Sequence, residues 1–321
     1  MMNTKKVLLN VAFAAALTGL IFAGCKKEND TSATDEMSEQ LTNGTDESRF
    51  SAASDEALDD VNNIALDNSK FRGVNGQWIL LGLHTPCNVV IDSSLKDHGT
   101  LTVTFNGNDC ANLHSRTGSV TLQLPYNAAT NTVTPWSTAG CTLTVTFHDF
   151  SITRLSDGKS LTFNGSKTIT NVNGGLVDDE PDFTAPVVHH ITGMMQVTFD
   201  NNTSRTWNID RTRTIARFNN VTTVTITGNA TENGYSNVSV WGINRKGNVF
   251  TVTINTPVVL SSTCNFNAMS GVRMIHGVIR ELTITYGVDQ AGNPITNGCP
   301  YGFKLNWIGK NGTAKQAVIS Y

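Results

Sequence analysis

Charged residues are scarce in this chain, and there is no surplus of positive charge. Lysine and arginine total 23, aspartate and glutamate total 26, and charged residues make up 15% of the sequence. Nucleic-acid binding needs clustered basic side chains, so this composition argues against a nucleic-acid partner. Familiar catalytic patterns are missing as well, because the sequence contains no G-x-S-x-G, H-E-x-x-H or P-loop motif. No local signature of an enzyme is therefore present.

Metal-ligand spacings are also lacking. No cysteine pair has C-x-x-C spacing, and no histidine lies at ligand spacing from a cysteine. His189 and His190 are the only adjacent histidines, and neighbours on a strand point to opposite faces. We therefore predict neither a metal site nor a cofactor.

A long hydrophobic run occurs once, at the N-terminus. Lys5 and Lys6 precede an apolar stretch over residues 7–22, which is followed by Ala-Gly-Cys25. The run is shorter than the roughly 20 residues that span a bilayer core. This order is typical of a lipoprotein signal peptide, so we predict a signal peptide over residues 1–24 and a diacylglyceryl group on Cys25. A retained transmembrane helix and a plain secreted protein are the alternatives.

Large apolar residues are almost absent from the segment that follows. Residues 25–53 are rich in Ser, Thr, Asp, Glu and Asn, which predicts a flexible tether between the lipid and a folded domain. A short helix is predicted over residues 54–68. Ser54 would be its N-cap, and Asp55 would lie in its first turn.

Most of the remaining chain alternates apolar residues with threonine. The segments 101–105 and 143–147 are both Leu-Thr-Val-Thr-Phe, and close variants recur further along. Alternation places the apolar side chains on one strand face. Turns are predicted at pairs such as Asn106-Gly107, Asp157-Gly158 and Asn164-Gly165. We predict an all-β fold, an antiparallel up-and-down meander that curls into a sandwich or open barrel and carries one short N-terminal helix.

The strand pattern is interrupted once. An acidic loop over residues 176–186 separates a first β lobe (69–175) from a second β lobe (187–321). The acidic spacing lacks the pattern of a calcium loop, so we interpret this loop as solvated. The repeated pentapeptide fits an internal duplication or simply a set of similar amphipathic strands, and one continuous structure with two lobes is favoured.

A row of arginines around one tryptophan is the most specific candidate for a ligand surface. Seven residues of one parity share a strand face: Arg205, Trp207, Ile209, Arg211, Arg213, Ile215 and Arg217. Its functional interpretation is a groove for an anionic or saccharide ligand, with guanidinium groups on carboxylate or sulfate and the indole on a sugar ring. The structural interpretation is a ladder whose arginines pack on aromatic residues and pair with acids on adjacent strands.

Several stretches of the β region carry a resemblance to a known family. They include residues 110–118, 144–150, 163–171, 207–213 and 250–254. In these stretches the chain resembles an uncharacterised family of Bacteroidota cell-envelope lipoproteins, over about residues 87–321. The resemblance implies architecture and location but no activity.

Family members typically have cysteines at the positions of Cys87, Cys110, Cys264 and Cys299. The predicted hairpins fit disulfides between Cys87 and Cys110 and between Cys264 and Cys299. Cys141 would then be a free, buried thiol. A Cys110–Cys141 pairing stays open as an alternative.

These observations predict an outer-membrane lipoprotein at the cell surface or on the periplasmic face. It would act as a non-enzymatic binding or structural module. The alternative is an accessory lipoprotein that binds a glycan or anionic ligand through Arg205, Trp207, Arg211, Arg213 and Arg217. A hydrolase with a dispersed site and a lipid-handling protein are further alternatives. The expected partners are the membrane, through Cys25, and a glycan or another envelope protein.

Overall fold

The fold is all-β with one helix near the N-terminus, as predicted. A computed structural model describes residues 33–67, 87–177, 182–278 and 280–321. The predicted signal peptide, Cys25 and residues 178–181 of the predicted acidic loop lie outside these described residues. Within the described part of the chain, no helix is both long enough and apolar enough to cross a membrane.

The described elements are one α-helix, seventeen strands and two short 3-10 helices. In chain order they are α1 (Ala33–Asp67), β1 (Val89–Asp92), a 3-10 turn (Lys96–His98), β2 (Thr100–Asn108), β3 (His114–Gln123), β4 (Tyr126–Asn127), β5 (Thr132–Val133), β6 (Cys141–Arg154), β7 (Ser160–Asn171), β8 (Val187–Phe199), β9 (Ser204–Phe218), β10 (Val221–Gly228), β11 (Ala230–Glu232), β12 (Tyr235–Ile243), β13 (Val249–Ser261), a second 3-10 turn (Ser262–Cys264), β14 (Ala268–His276), β15 (Leu282–Val288), β16 (Gly302–Ile308) and β17 (Ala314–Ser320).

Strand order in the sheet follows chain order, which confirms the meander. Fifteen strands form one antiparallel sheet, and β4 and β5 form a separate small hairpin. The strand β9 pairs with β10 along one half and with β12 along the other, and β13 does the same. Together β10 and β12 therefore fill one strand position, with β11 as a short excursion between them.

Alternation along the strands places the core on one face. Leu101, Val103 and Phe105 of β2 are buried, whereas Thr102 and Thr104 between them face the other side. The same pattern holds along β6, where the apolar residues of the second pentapeptide are buried. The predicted apolar face is confirmed.

The sheet curls around α1. The helix contacts β7 through Ser54 and Lys167, β9 through Glu47 and Trp207, and β16 at Leu305, beside Gly44. Ser54 and Gly44 are ten residues apart, about 15 Å along the helix axis, whereas the seven strand spacings from β7 to β16 would cover about 34 Å in a flat sheet. The helix can reach both strands from positions this close together only if the sheet bends around it. The observed form is one curled sheet rather than a sandwich of two sheets.

The predicted tether and helix boundaries are wrong. Helix α1 spans Ala33–Asp67, so most of the segment predicted as a flexible tether is helical, and Ser54 lies in mid-helix instead of at the N-cap. The segment offers too little large apolar surface to order by hydrophobic burial alone. The segment is ordered by burying polar side chains against cations of the sheet.

The two predicted lobes share one sheet. Strands β7 and β8, on either side of the predicted acidic loop, pair through eleven residue pairs from Leu161–Phe199 to Asn171–His189. Two predicted turns are wrong, because Asn106-Gly107 lies inside β2 and Asn164-Gly165 lies inside β7. A side chain on Gly165 would meet the Met194 carbonyl oxygen at 2.4 Å, so this glycine allows close strand approach rather than a turn.

Both predicted disulfides are present. Cys87 bonds to Cys110 and Cys264 bonds to Cys299, which leaves Cys141 free and buried. The alternative Cys110–Cys141 pairing is therefore wrong. Burial raises the pKa of the Cys141 thiol to about 11, so the thiol stays protonated and unreactive at neutral pH.

Candidate functional site

Strand β9 carries the predicted arginine row, and the row faces the inside of the curled sheet. Burial alternates along the strand, so that Arg205, Trp207, Arg211 and Arg213 are buried and Arg217 is half-buried near the strand end. The predicted common face is confirmed. An open groove is not what the structure shows, because α1 covers the row.

Helix α1 turns a polar face toward the sheet. Its buried positions recur every three or four residues, which places them on one side of the helix. They are Glu36, Glu39, Gln40, Asn43, Gly44, Asp46, Glu47, Phe50, Ser51, Ser54, Asp55 and Ala57. A helix at a protein core usually buries an apolar stripe, whereas most of this stripe is acidic or hydroxyl-bearing.

An aromatic stack joins α1 to the arginine row. The Phe50 ring lies parallel to the Trp207 indole, with their centroids 4.0 Å apart. On β9 the Arg205 guanidinium lies 4.2 Å from the Trp207 ring centroid and 3.9 Å from that of Phe250. The indole therefore stacks on this chain's own phenylalanine and arginine, and these contacts combine apolar burial with cation–π attraction.

Glu47 of α1 contacts polar side chains from two strands of the sheet. Its carboxylate accepts a hydrogen bond of 3.1 Å from Trp207 Nε1 and one of 3.4 Å from Arg273 Nη1 on β14. Arg273 Nη1 also donates to Ser51 Oγ at 2.7 Å. The guanidinium of Arg205 lies 3.8 Å from the same carboxylate. One helix residue thus links two strands that are three positions apart in the sheet.

Asp55 pairs with the second half of the row. Its carboxylate accepts a hydrogen bond from Arg211 and lies 3.9 Å from Arg213 Nη1. Burial alone would raise the pKa of Asp55, but the guanidinium groups of Arg211 and Arg213 outweigh it and bring the pKa below its ordinary value. Asp55 is therefore ionised inside the protein.

Lys167 of β7 is a buried base that contacts α1. Its ammonium donates to Ser54 Oγ and lies 5.9 Å and 5.5 Å from the ring centroids of Phe50 and Phe147. Burial, reinforced by the charge of Arg211, lowers the pKa of Lys167 to about 7. An amine beside a hydroxyl is a pairing that can activate a nucleophile. Here both side chains are buried between α1 and the sheet, so the contact joins the helix to the sheet.

Where α1 approaches the strand turns, a second set of ion pairs holds its N-terminal half. The side chain of Arg245, between β12 and β13, forks onto both carboxylate oxygens of Asp46. In the same turn Lys246 pairs with Glu39, and farther round the sheet the Lys310 amide donates to Glu36 at 3.1 Å. Burial raises the pKa of Asp46 above its ordinary value, although Arg245 and Arg205 oppose this shift.

The ladder interpretation is therefore half right. Arginines of β9 do pack on aromatic rings, but the acids that pair with Arg205, Arg211 and Arg213 come from α1 instead of an adjacent strand. On the outer face, His190 pairs with Asp210 at 2.7 Å, while His189 is buried beside Trp136. Within the described residues, no cluster of histidine, cysteine and acidic side chains could hold a metal ion.

Sequence reasoning missed the residues of α1 that pack against the arginine row and the two buried bases beside it. Asp46, Glu47 and Phe50 belong to a segment interpreted as a tether, and Lys167 and Arg273 lie on other strands. A signal was present in the sequence. Both bases stand at the parity of buried apolar residues in their strands, and buried cations demand anionic partners.

Comparison with protein families, curated proteins and solved structures finds no match to this chain. Function must therefore be argued from the geometry.

Proposed function

We propose that this chain is a lipid-anchored, non-enzymatic module of the outer membrane, in which α1 connects the anchor to the sheet. The resemblance of the sequence to Bacteroidota cell-envelope lipoproteins supports the proposed location. The observation that carries the proposal is the burial of Asp46, Glu47 and Asp55 of α1 against cations of the sheet.

The position of α1 in the chain supports this role. The helix starts at Ala33, eight residues after the predicted lipidation site Cys25. A load on the anchor would therefore reach α1 before it reached any strand. Because α1 is ion-paired to β9, to β14 and to the turn before β13, that load would be shared by the whole sheet.

The alternative of a glycan-binding accessory protein meets an obstacle in this geometry. Its candidate face is buried beneath α1, so a glycan would have to replace the helix before it could reach Arg211 or Trp207. A module whose β9 face holds its own helix is the simpler function for the observed arrangement.

A lipidation experiment tests the proposal. Cells producing the full chain or the Cys25→Ser chain would be labelled with a fatty acid and separated into membrane and soluble fractions. Label and membrane association are expected for the full chain only, because the variant has no thiol to acylate. Cys141→Ser is the matched control and should remain labelled. A Cys25→Ser chain that stays labelled in the outer-membrane fraction would refute the proposal.

A further inference from the structure

A buried histidine on the outer face of the sheet lies outside the site described above. His276 ends β14, and its neighbour Ile275 faces the core, so the His276 side chain points to the other face. Its Nδ1 lies 2.9 Å from Glu281 Oε1, and its Nε2 lies 3.2 Å from Thr253 Oγ1 on β13. Both ring nitrogens of this histidine therefore have a hydrogen-bond partner.

The donors and acceptors in this network require a charged histidine. The Thr253 hydroxyl has one proton and donates it to Asn255 Oδ1 at 2.7 Å, so its oxygen can only accept from His276 Nε2. The ionised Glu281 carboxylate has no proton to donate, so His276 Nδ1 is the donor in that pair. An imidazolium donates from both nitrogens, whereas either neutral tautomer leaves one of the two contacts unmet.

The hairpin formed by β11 and β12 covers the same histidine. The Tyr235 ring lies nearly parallel to the imidazole, with the ring centroids 3.8 Å apart. At the hairpin turn, Asn233 Nδ2 donates to Thr251 Oγ1 at 2.8 Å, and Thr251 lies opposite His276 in the β13–β14 ladder. Aromatic faces attract cations. Positive charge on His276 therefore strengthens the contact that holds the hairpin against the sheet.

The charges around His276 favour its protonated form. The charged and titratable side chains on the elements packed around it are Glu232 and Tyr235 of the hairpin, Arg273 of β14, Tyr286 of β15, and Arg280 and Glu281 of the turn between those two strands. Arg280 is directed to α1, where its Nε lies 3.6 Å from Glu36 Oε1, and Arg273 is buried on the inner face. Strand β13 carries no charged residue. The Glu281 carboxylate and the Tyr235 ring contact the imidazole, and both stabilise a positive charge.

We infer that His276 is a pH-sensitive clamp for the β11–β12 hairpin. Histidine changes its charge between about pH 5 and pH 8. In its charged form His276 donates to Glu281 and Thr253 and attracts the Tyr235 ring, which keeps the hairpin closed over β13. After loss of the Nε2 proton, two acceptors compete for the single Thr253 hydroxyl proton and the attraction to the ring is lost. The hairpin then opens more often and uncovers the outer face of β13.

Hydrogen exchange in the full chain, purified in detergent, tests the clamp. Protection factors, which correct for the intrinsic pH dependence of exchange, are compared at about pH 5 and about pH 8 for the amides of residues 232–237. We expect protection to fall roughly tenfold at the higher pH, because a charge-assisted hydrogen bond and a cation–π contact are lost. Amides of β3, several strands away in the sheet, report any change in global stability.

Two variants separate the clamp from a general pH effect. His276→Gln has no charge to lose, so protection over residues 232–237 should be equal at the two pH values. His148→Gln removes a histidine that contacts Thr121 on the outer face of β6 and β3, and this matched control should keep the tenfold change. Constant protection in the unaltered chain, or a change that survives in His276→Gln, would overturn the inference.

Asn255→Asp decides the question if His276→Gln does not fold. The new carboxylate can only accept, so the Thr253 hydroxyl still donates away from His276, and the added negative charge favours the imidazolium. The hairpin should therefore stay protected to a higher pH than in the unaltered chain. A hairpin that is already open at about pH 5 in this variant would show that the Asn255 amide donates to Thr253, which would refute the charged-histidine network.

Discussion

Buried carboxylates of α1 pair with cations from several parts of the sheet. Asp55 pairs with Arg211 on β9, and Glu47 pairs with Arg273 on β14. Such pairs gain little net stability over apolar packing, but removing one partner leaves an uncompensated buried charge. At the residue scale these pairs fix where α1 lies, and their loss should be costly.

Asp55→Asn tests the value of one such pair. We expect the free energy of unfolding to fall by about 3–5 kcal/mol, because Arg211 and Arg213 would keep their buried charges without the carboxylate. The measurement is urea unfolding followed by circular dichroism. Asp157→Asn is the control, since Asp157 pairs with Arg154 at the surface and its loss should cost less than about 1 kcal/mol. Equal losses would contradict the buried-pair argument.

Lys167 predicts a specific pH dependence. Its folded pKa of about 7 lies below the unfolded value of about 10.4, so between these pH values the unfolded chain binds one more proton. Stability of the unaltered chain should therefore rise from pH 7 toward pH 10, by up to about 1.4 kcal/mol per pH unit relative to Lys167→Met. Well below pH 7, Lys167 is protonated in both the folded and the unfolded chain. The free energies of unfolding of the unaltered chain and of Lys167→Met should therefore change with pH in parallel there.

Urea unfolding at a series of pH values provides the measurement. Lys159→Met removes an exposed lysine from the start of the same hairpin and should leave the pH dependence of the unaltered chain unchanged. Curves for Lys167→Met and the unaltered chain that stay parallel from pH 7 to 10 would show that Lys167 is charged in the folded protein.

At the scale of elements, α1 passes the sheet closely at one glycine. Glycine in a helix interior normally costs about 0.5–1 kcal/mol relative to alanine. A Cβ at Gly44, however, would lie 2.7 Å from Leu305 Cδ2 and 3.2 Å from Leu282 Cδ2. Close packing against two buried leucines therefore favours glycine despite its weak helix propensity.

Gly44→Ala should reverse the usual effect of this substitution. We expect a loss of about 1–2 kcal/mol, because overpacking against Leu305 exceeds the gain in helix propensity. Thr42→Ala, at an exposed position two residues away, should instead be neutral or slightly stabilising. Thermal unfolding of both variants gives the comparison, and a stabilised Gly44→Ala chain would show that α1 lies farther from β16.

The edge strand β1 depends on its disulfide. It has four residues, Val89–Asp92, and pairs only with β2 among the described strands. Replacing Cys87 and Cys110 by alanine should lower the free energy of unfolding by about 2–4 kcal/mol. Hydrogen exchange should accelerate in β1 far more than in β15. Removal of the Cys264–Cys299 bridge is the control, and it should leave exchange in β1 unchanged.

At the scale of the whole molecule, the continuous sheet and the enclosed helix favour one cooperative unit. The β7–β8 pairing joins the regions predicted as separate lobes, and α1 touches strands of both. Neither region can unfold without exposing the inner face of the other. We therefore expect unfolding in a single transition.

Single-tryptophan variants test that expectation. Trp136 reports on the first predicted lobe and Trp307 on the second, and both side chains are buried. With the other tryptophans replaced by phenylalanine, fluorescence midpoints in urea should coincide with each other and with that from circular dichroism. Midpoints separated by more than the measurement error would establish two independently unfolding units.

The sequence by itself determined the all-β class and the meander, because these depend on local alternation. Cysteines beside predicted hairpins favoured both disulfides, but the structure was needed to exclude a Cys110–Cys141 pairing. Alternation also identified the common face of Arg205, Trp207, Arg211 and Arg213. Period-two patterning is a property of each strand alone, so it survives whatever the strand later packs against.

Only the tertiary structure decided what lies against that face. Residues 33–53 look too polar to order, since nothing near them in sequence offers Asp46 or Glu47 a partner. Their partners Arg205, Arg245 and Arg273 come from strands or turns about 160–230 residues away. Burial of charge becomes favourable only where opposite charges converge, and that convergence exists only after the sheet has curled.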